Sequence, residues 1–177
     1  MVGNNSCGSN SVVYRSTREH LLEVKALLSD GSETEFKSLN IDEFHQKCES
    51  DNLEGSIYRS VRSLLSNYDN QVEIRKEFPK KTVERRNTGY AIDVLLETAP
   101  FTAGETDFNF CKLIAGSEGT LAFITEIKLN VVPLPPKEIG LLCVHFNTID
   151  ESLRANLIAL KYKPSASELI DHYILEC

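Results

Sequence analysis

Two glycine-marked turns hold the residues of this chain best suited to chemistry. The first, Gly3-Asn4-Asn5-Ser6-Cys7-Gly8-Ser9-Asn10-Ser11, combines small polar side chains with glycines. Such a turn lets the backbone approach a ligand closely and aims N–H groups at anionic oxygens. The same composition also describes a frayed chain terminus. The second, Gly116-Ser117-Glu118-Gly119-Thr120, lies between an apolar segment (Phe108, Phe110, Leu113, Ile114) and a strongly alternating run. A turn of this kind holds a phosphate or the polar edge of a heterocycle through its backbone, or serves only as a connection. Neither turn ends in Gly-Lys-Ser/Thr and no Gly-x-Gly-x-x-Gly occurs, so nucleotide hydrolysis and Rossmann-type dinucleotide binding are disfavoured.

A third feature is the basic stretch Arg75, Lys76, Lys80, Lys81, Arg85, Arg86, which runs into Asn87-Thr88-Gly89-Tyr90. It is either a solvated charged face or the lining of an anionic site; a free-standing module holding a small anion or acidic partner through residues 75–86 is the alternative function. Arg86 is the candidate for a substrate carboxylate, because a guanidinium grips a carboxylate as a fork. The histidines His20, His45, His145 and His172 show no metal-ligand spacing, and no metal site is expected. Five cysteines, odd in number and never in a Cys-x-x-Cys pair, argue against a disulfide framework, a zinc site or an iron-sulfur site, and fit a reducing, cytoplasmic setting. Cys111 and Cys143, in apolar segments, read as core thiols, and Cys7 as a packing residue.

The elements that must position these turns are a mixture of strands and helices. Val24, Ala26 and Leu28 alternate, Asp30-Gly31 supplies a turn, and Thr34-Lys37 resumes an extended pattern, which predicts a hairpin. Asn40 with Glu43 has the spacing of a capping box, opening a short helix to about Lys47 that buries Ile41 and Phe44. Ile57, Val61, Leu64, Leu65, Tyr68 and Val72 recur at helical steps, predicting one long amphipathic helix ending near Phe78-Pro79. From Thr120 to Val132, Leu121, Phe123, Ile127, Leu129 and Val131 fall on one side of an alternating strand that stops at Pro133. A second strand, Ile139 to Phe146, is expected beside it. Thr148 with Glu151 caps a helix, and Ser165 with Glu168 another that runs to the last residue. Lacking regular strand-helix alternation, the chain reads as α+β with a mixed, largely antiparallel sheet flanked by helices.

Composition bounds the function. The 177 residues are 41% hydrophobic and 25% charged, values of a folded globular chain. A formal net charge of −7 gives no general attraction to nucleic acid or an anionic membrane, and no apolar run is long enough to cross a bilayer.

The two turns together carry a family resemblance. Gly116-Ser117-Glu118-Gly119-Thr120-Leu121-Ala122-Phe123-Ile124-Thr125-Glu126 resembles the Gly-Ser-Glu-Gly-Thr-Leu-Gly-(apolar)-(apolar)-Thr-Glu signature of FAD-linked oxidases and dehydrogenases of the vanillyl-alcohol-oxidase type, with their PCMH-type flavin domain. That group includes D-lactate, glycolate and D-2-hydroxyglutarate dehydrogenases. Asn4-Asn5-Ser6-Cys7-Gly8 is similar to the small-residue turn that the family sets against the flavin, and Asn87-Thr88-Gly89-Tyr90 to the segment that precedes the second motif. The chain departs from the pattern at Arg15 and Ala122, where the family usually has glycine.

The resemblance implies FAD as cofactor, contacted by Asn4, Asn5, Ser6, Cys7 and Gly8 and by Ser117, Glu118, Gly119, Thr120, Leu121 and Ile124. It implies residues 1–136 as part of the flavin-binding domain, its second subdomain without the N-terminal one, and 137–177 as the start of the substrate domain. The implied parent oxidises a 2-hydroxy acid by hydride transfer to flavin and passes the electrons to an acceptor, with an iron-sulfur module possible elsewhere in its chain. The catalytic residues are expected outside this sequence, so the isolated chain is expected to be inactive.

Overall fold

The structure, a computed structural model, describes residues 1–83, 86–87, 89–103 and 106–177. Arg85 of the basic stretch and Thr88 of the Asn-Thr-Gly-Tyr segment lie outside the described residues. In chain order the elements are α1 Ser11–Tyr14, α2 Thr17–His20, β1 Leu21–Leu27, β2 Glu33–Phe36, α3 Ile41–Glu49, α4 Leu53–Ser66, α5 Tyr68–Glu77, α6 Ile92–Leu96, α7 Cys111–Ile114, β3 Phe123–Leu129, α8 Ile149–Ala159, a 3-10 turn Leu160–Tyr162, and α9 His172–Leu175. They divide into two compact units: Met1–Ser6 with Ser16–Val131, and Cys7–Arg15 with Val132–Cys177.

The first unit is α+β, as expected. β1 lies between β2 and β3 and is antiparallel to both, with Val24 opposite Phe36 and Ile127, and Ala26 opposite Thr34 and Ile124. The hairpin turn needs a left-handed residue, and Gly31 supplies it at φ +82° while Asp30 Oδ1 accepts from Ser32 N. One sheet face turns Leu21, Val24, Ala26 and Phe36 into the core; the other carries an ion-pair ladder of Lys25 with Glu126 and Lys128 with Glu23.

β3 is formed, but its faces differ from simple alternation. The pairing with β1 slips at Leu22 and again at Thr125, and each slip is one extra residue on one strand. The bulge at Thr125 places Phe123, opposite Leu27, on the face away from Ile127, opposite Val24. The expected row Leu121, Phe123, Ile127, Leu129 is therefore split between faces, and all four remain exposed.

Helices cover the inner face with an aromatic cluster. Phe44 meets Phe108 at 4.7 Å between ring centroids and Tyr58 meets Phe110 at 4.7 Å, both edge to face, and Phe108 and Phe110 are themselves 4.8 Å apart. The capping box of Asn40 and Glu43 forms, but of the two side chains expected beneath α3 only Phe44 is buried and Ile41 is exposed. The single long helix expected from Ile57 to Val72 is instead two, broken at Asn67. Asn67 Oδ1 caps α5 by accepting from Asn70 N, while Asn70 Nδ2 and Gln71 Nε2 donate to the Leu64 and Leu65 carbonyls at the end of α4. These side-chain amides satisfy the polar groups left over where two helices meet, so the break costs little.

In the second unit, the capping box of Thr148 and Glu151 opens α8 as expected. Two other expectations fail. Residues 139–146 form no strand, and Leu141 is 90% exposed with no pairing partner among the described residues. A strand without a neighbour has no ladder to join, and its alternation alone cannot hold it. The terminal helix is one turn from His172 to Leu175, capped by Asp171 rather than Ser165.

Of the cysteines expected in the core, Cys111 is buried and Cys143 is exposed. Cys111 Sγ donates to the Phe36 carbonyl at 3.2 Å, and burial pushes its thiol up to about 12. A thiol reagent at pH 8 should modify Cys143 and Cys177 rapidly and leave Cys111 untouched until denaturant is added; mass spectrometry of the labelled chain checks this. Phe44→Ala should cost about 3–5 kcal/mol in urea denaturation, whereas Leu141→Ser should stay within about 0.5 kcal/mol.

Candidate functional site

Within the first unit, the chain start and the second glycine turn lie side by side. Gly116 N donates to the Val2 carbonyl at 3.1 Å and Glu118 N to the Gly3 carbonyl at 2.8 Å, a short ladder between segments more than a hundred residues apart. Of the candidate residues, Asn4, Asn5 and Ser6 are thus brought beside Ser117, Glu118, Gly119 and Thr120. Ile124 follows on β3, partly buried against the core, and Leu121 is exposed. Cys7 and Gly8 belong to the second unit, where the Gly8 carbonyl accepts from Ser11 N.

The conformation of this ladder needs left-handed backbone at four places. Asn5 has φ +49°, Gly116 +92°, Glu118 +52° and Gly119 +75°. Asparagine tolerates this region, glutamate does so at a cost, and glycine without one. Gly116 has a second reason to be glycine: a Cβ there would stand 2.8 Å from Arg18 Nη2 and 3.0 Å from the Gly89 carbonyl. Around Gly119 nothing lies within 4 Å of an added Cβ, so this turn offers an open backbone surface.

Arg18 holds the turn from beneath. Its side chain is buried, with Nε donating to the Lys112 carbonyl at 2.8 Å and Nη2 to the Ala115 carbonyl at 2.6 Å and the Gly89 carbonyl at 3.2 Å. Its backbone N–H donates to Asn5 Oδ1 at 2.7 Å. Lys112 returns the contact, its Nζ donating to the Arg18 carbonyl at 2.9 Å. Burial lowers the proton affinity of Arg18 and of Lys112, and the Arg86 charge lowers that of Arg18 further, while Glu19 and Asp93 oppose the effect on Arg18. No periodicity or motif singles out Arg18 or Lys112 in the sequence; their roles follow from tertiary contacts.

Arg86 is engaged from within the chain. Its fork meets Asp93, Nη1 with Oδ2 and Nη2 with Oδ1, the latter at 2.6 Å, and the group lies against the Phe78 ring. This pairing holds the Arg86 proton more tightly than usual. Elsewhere in the basic stretch Lys81 pairs with Glu97, and Lys76 with Glu73 and Glu77. Arg75, by contrast, donates to the uncharged Gln71 side chain at 3.2 Å. Among the described residues no group of three or more His, Cys, Asp and Glu is arranged to hold a metal ion, and no helix is long and apolar enough to cross a membrane.

One buried polar atom at the turn lacks a partner. Asn5 is wholly buried and its Oδ1 is taken by Arg18, leaving Nδ2 with no acceptor among the described residues. An amide buried this way costs free energy unless something accepts from it.

Comparison with curated proteins finds D-2-hydroxyglutarate dehydrogenases. The protein of that name from Pseudomonas putida is 31% identical over 178 residues, covering 99% of this chain and 16% of the relative. The Escherichia coli protein is 30% identical over 175 residues, again 99% of this chain and 16% of the relative. Over nearly its whole length the chain is thus similar to one part of these dehydrogenases. It spans about one sixth of the length of the curated relatives it matches. No protein-family model matches it, and no solved structure gives a significant match. An added methyl tests the two glycines of the turn separately, since a Cβ at Gly116 would clash and one at Gly119 would meet open space. Gly116→Ala should destabilise the fold by about 2–4 kcal/mol through clash and strain together, and Gly119→Ala by about 1 kcal/mol through strain alone, as read from denaturation midpoints.

Proposed function

We propose that this chain forms one wall of the FAD site of a dehydrogenase that oxidises a 2-hydroxy acid. The observation that carries the reading is the ladder joining Gly3 to Glu118, which sets two candidate flavin turns side by side, the first with an unsatisfied Asn5 amide and the second with open backbone at Gly119. The residues fit the group: an orphaned donor calls for an acceptor oxygen or nitrogen, and a turn without Cβ on its outer face admits a flat heterocycle closely. Within the first unit, Asn4, Asn5 and Ser6 on one side, and Ser117 to Leu121 with Ile124 on the other, would hold the cofactor.

When bound, FAD would take a hydride from the α carbon of the hydroxy acid and pass electrons to an acceptor. The chain's own contribution is orientation and electrostatics. Arg18 and Lys112 place two cations beneath the turn, with Glu19 acting on both and Asp93 on Arg18. Cations fixed in this way would favour negative charge on a ligand oxygen at the turn. The substrate class is supported by the relatives, which are D-2-hydroxyglutarate dehydrogenases. Residues 1–136 are read as part of the flavin domain and 137–177 as the start of the substrate domain. Free cysteines support a reducing, cytoplasmic setting. Because the match covers one part of each relative, the reading gives the isolated chain weak FAD affinity and no turnover.

FAD titrated into the chain, followed by flavin fluorescence, should show weak saturable binding, and a version extended upstream should bind more tightly. Gly119→Val should reduce affinity at least about tenfold by filling the open face of the turn, with cooperative unfolding retained. Binding that is equal in Gly119→Val and the parent chain would remove the turn from the site.

A further inference from the structure

Tyr90 is half-exposed, yet its hydroxyl is tightly held: it lies 2.5 Å from Thr120 Oγ1. Thr120 Oγ1 lies 2.5 Å from the Ser117 carbonyl, to which it donates. A threonine hydroxyl has one hydrogen, and the carbonyl can only accept. Thr120 therefore spends its proton on Ser117, and Tyr90 must be the donor to Thr120. The result is a directed chain of two short bonds from the phenol into the glycine turn. At its other end this tyrosine is tied to the frame beneath, since the carbonyl of the preceding Gly89 accepts from Arg18.

We propose that Tyr90 is a positioning residue: its hydroxyl, acting through Thr120, latches the turn Ser117–Thr120 into the left-handed shape in which its backbone is open to ligand. The geometry fits a latch better than a packing contact. The turn holds two consecutive residues at positive φ, Glu118 and Gly119, and only one of them is glycine. A glutamate in that region is strained and relaxes unless its flanks are held. On one flank Glu118 N is bonded to the Gly3 carbonyl; on the other, Thr120 N and Oγ1 both donate to the Ser117 carbonyl. Tyr90 completes the second flank by supplying the acceptor lone pair of Thr120 with a proton, which fixes the hydroxyl rotor toward Ser117. The functional part of the inference, that the latch serves cofactor binding, rests on the flavin reading of the turn.

The experiment compares Tyr90→Phe, Thr120→Val, the double variant and Thr120→Ser with the parent chain, by amide hydrogen exchange across residues 116–121 and by FAD titration. A latch predicts exchange at the turn about fivefold faster in Tyr90→Phe and at least as much faster in Thr120→Val, the scale of one hydrogen bond. Thr120→Ser should restore the parent rate because it keeps the hydroxyl. The double variant should be no faster than Thr120→Val, since both changes break one chain of bonds. Melting temperatures should stay close to the parent value. Unchanged exchange in Tyr90→Phe, or additive effects in the double variant, overturns the latch. FAD affinity about fivefold weaker in Tyr90→Phe and parent-like in Thr120→Ser supports its functional part. Equal FAD affinity in the parent and Tyr90→Phe overturns that part. If exchange responds as expected but the parent binds no FAD, even when extended upstream, the latch stands and the flavin reading falls.

Discussion

A guanidinium carries five N–H groups and a charge, and burying it without acceptors costs more than a typical domain can spare. Arg18 is buried to 3% exposure, and the loop architecture around it is the set of acceptors that makes this tolerable. The Lys112, Ala115 and Gly89 carbonyls come from within α7, from the residue that caps its C-terminus and from the segment before α6. Each accepts from the one guanidinium. One side chain thereby joins all three, and through its backbone N–H it also holds Asn5 at the chain start. Remove the guanidinium and these segments lose their common partner at once, with the Ala115 carbonyl left buried.

That arrangement explains which parts of the site could be read in advance. Asn4, Asn5 and Ser6, with Ser117 to Thr120, announce themselves because close backbone approach demands glycine and small residues, and those residue types are visible in a string of letters. Arg18 and Lys112 do not. Arginine and lysine within a short helix are commonplace on surfaces, and what distinguishes these two is the company they keep across the fold, ninety or so positions away in sequence. Tyr90 falls between: it stands in a recognisable segment, but its bond to Thr120 follows only once both segments share a frame.

The same division runs through the fold. Where the determinant is local, the reading holds: the Asp30-Gly31 hairpin and the capping boxes of Asn40 with Glu43 and Thr148 with Glu151 each depend on residues within one turn. Hydrophobic periodicity reports only the intention to bury a face. It ran through Asn67 because Leu64, Leu65, Tyr68 and Val72 keep helical spacing, whereas the chain breaks there on the strength of three side-chain amides. Likewise the single extra residue at Thr125 inverts the facing of everything before it on β3, and no property of a threonine marks it as a bulge. Residues 139–146 fail for a third reason. Apolar alternation is a statement about two partners, and only one is present among the described residues.

The proposed flavin reading sets a demand on the turn. A ligand as large as FAD is bound by enclosing most of its area, which takes walls on several sides. In that reading the glycine ladder would be one wall, made of a few residues with small side chains, and would contribute alignment and oriented charge more than buried apolar area. Such a wall is useful in proportion to its rigidity, because each degree of freedom left in the turn must be frozen when ligand arrives. Rigidity is what the local devices provide: glycine at Gly116 where no other residue fits, the Arg18 carbonyl clamp beneath, and the Tyr90 hydroxyl chain above. The positive φ of Glu118 is the cost of that shape, and it persists because both of its flanks are bonded. A turn held this firmly in a strained shape meets the demand that the proposed flavin reading places on it, because little of it is left to be ordered when a ligand arrives.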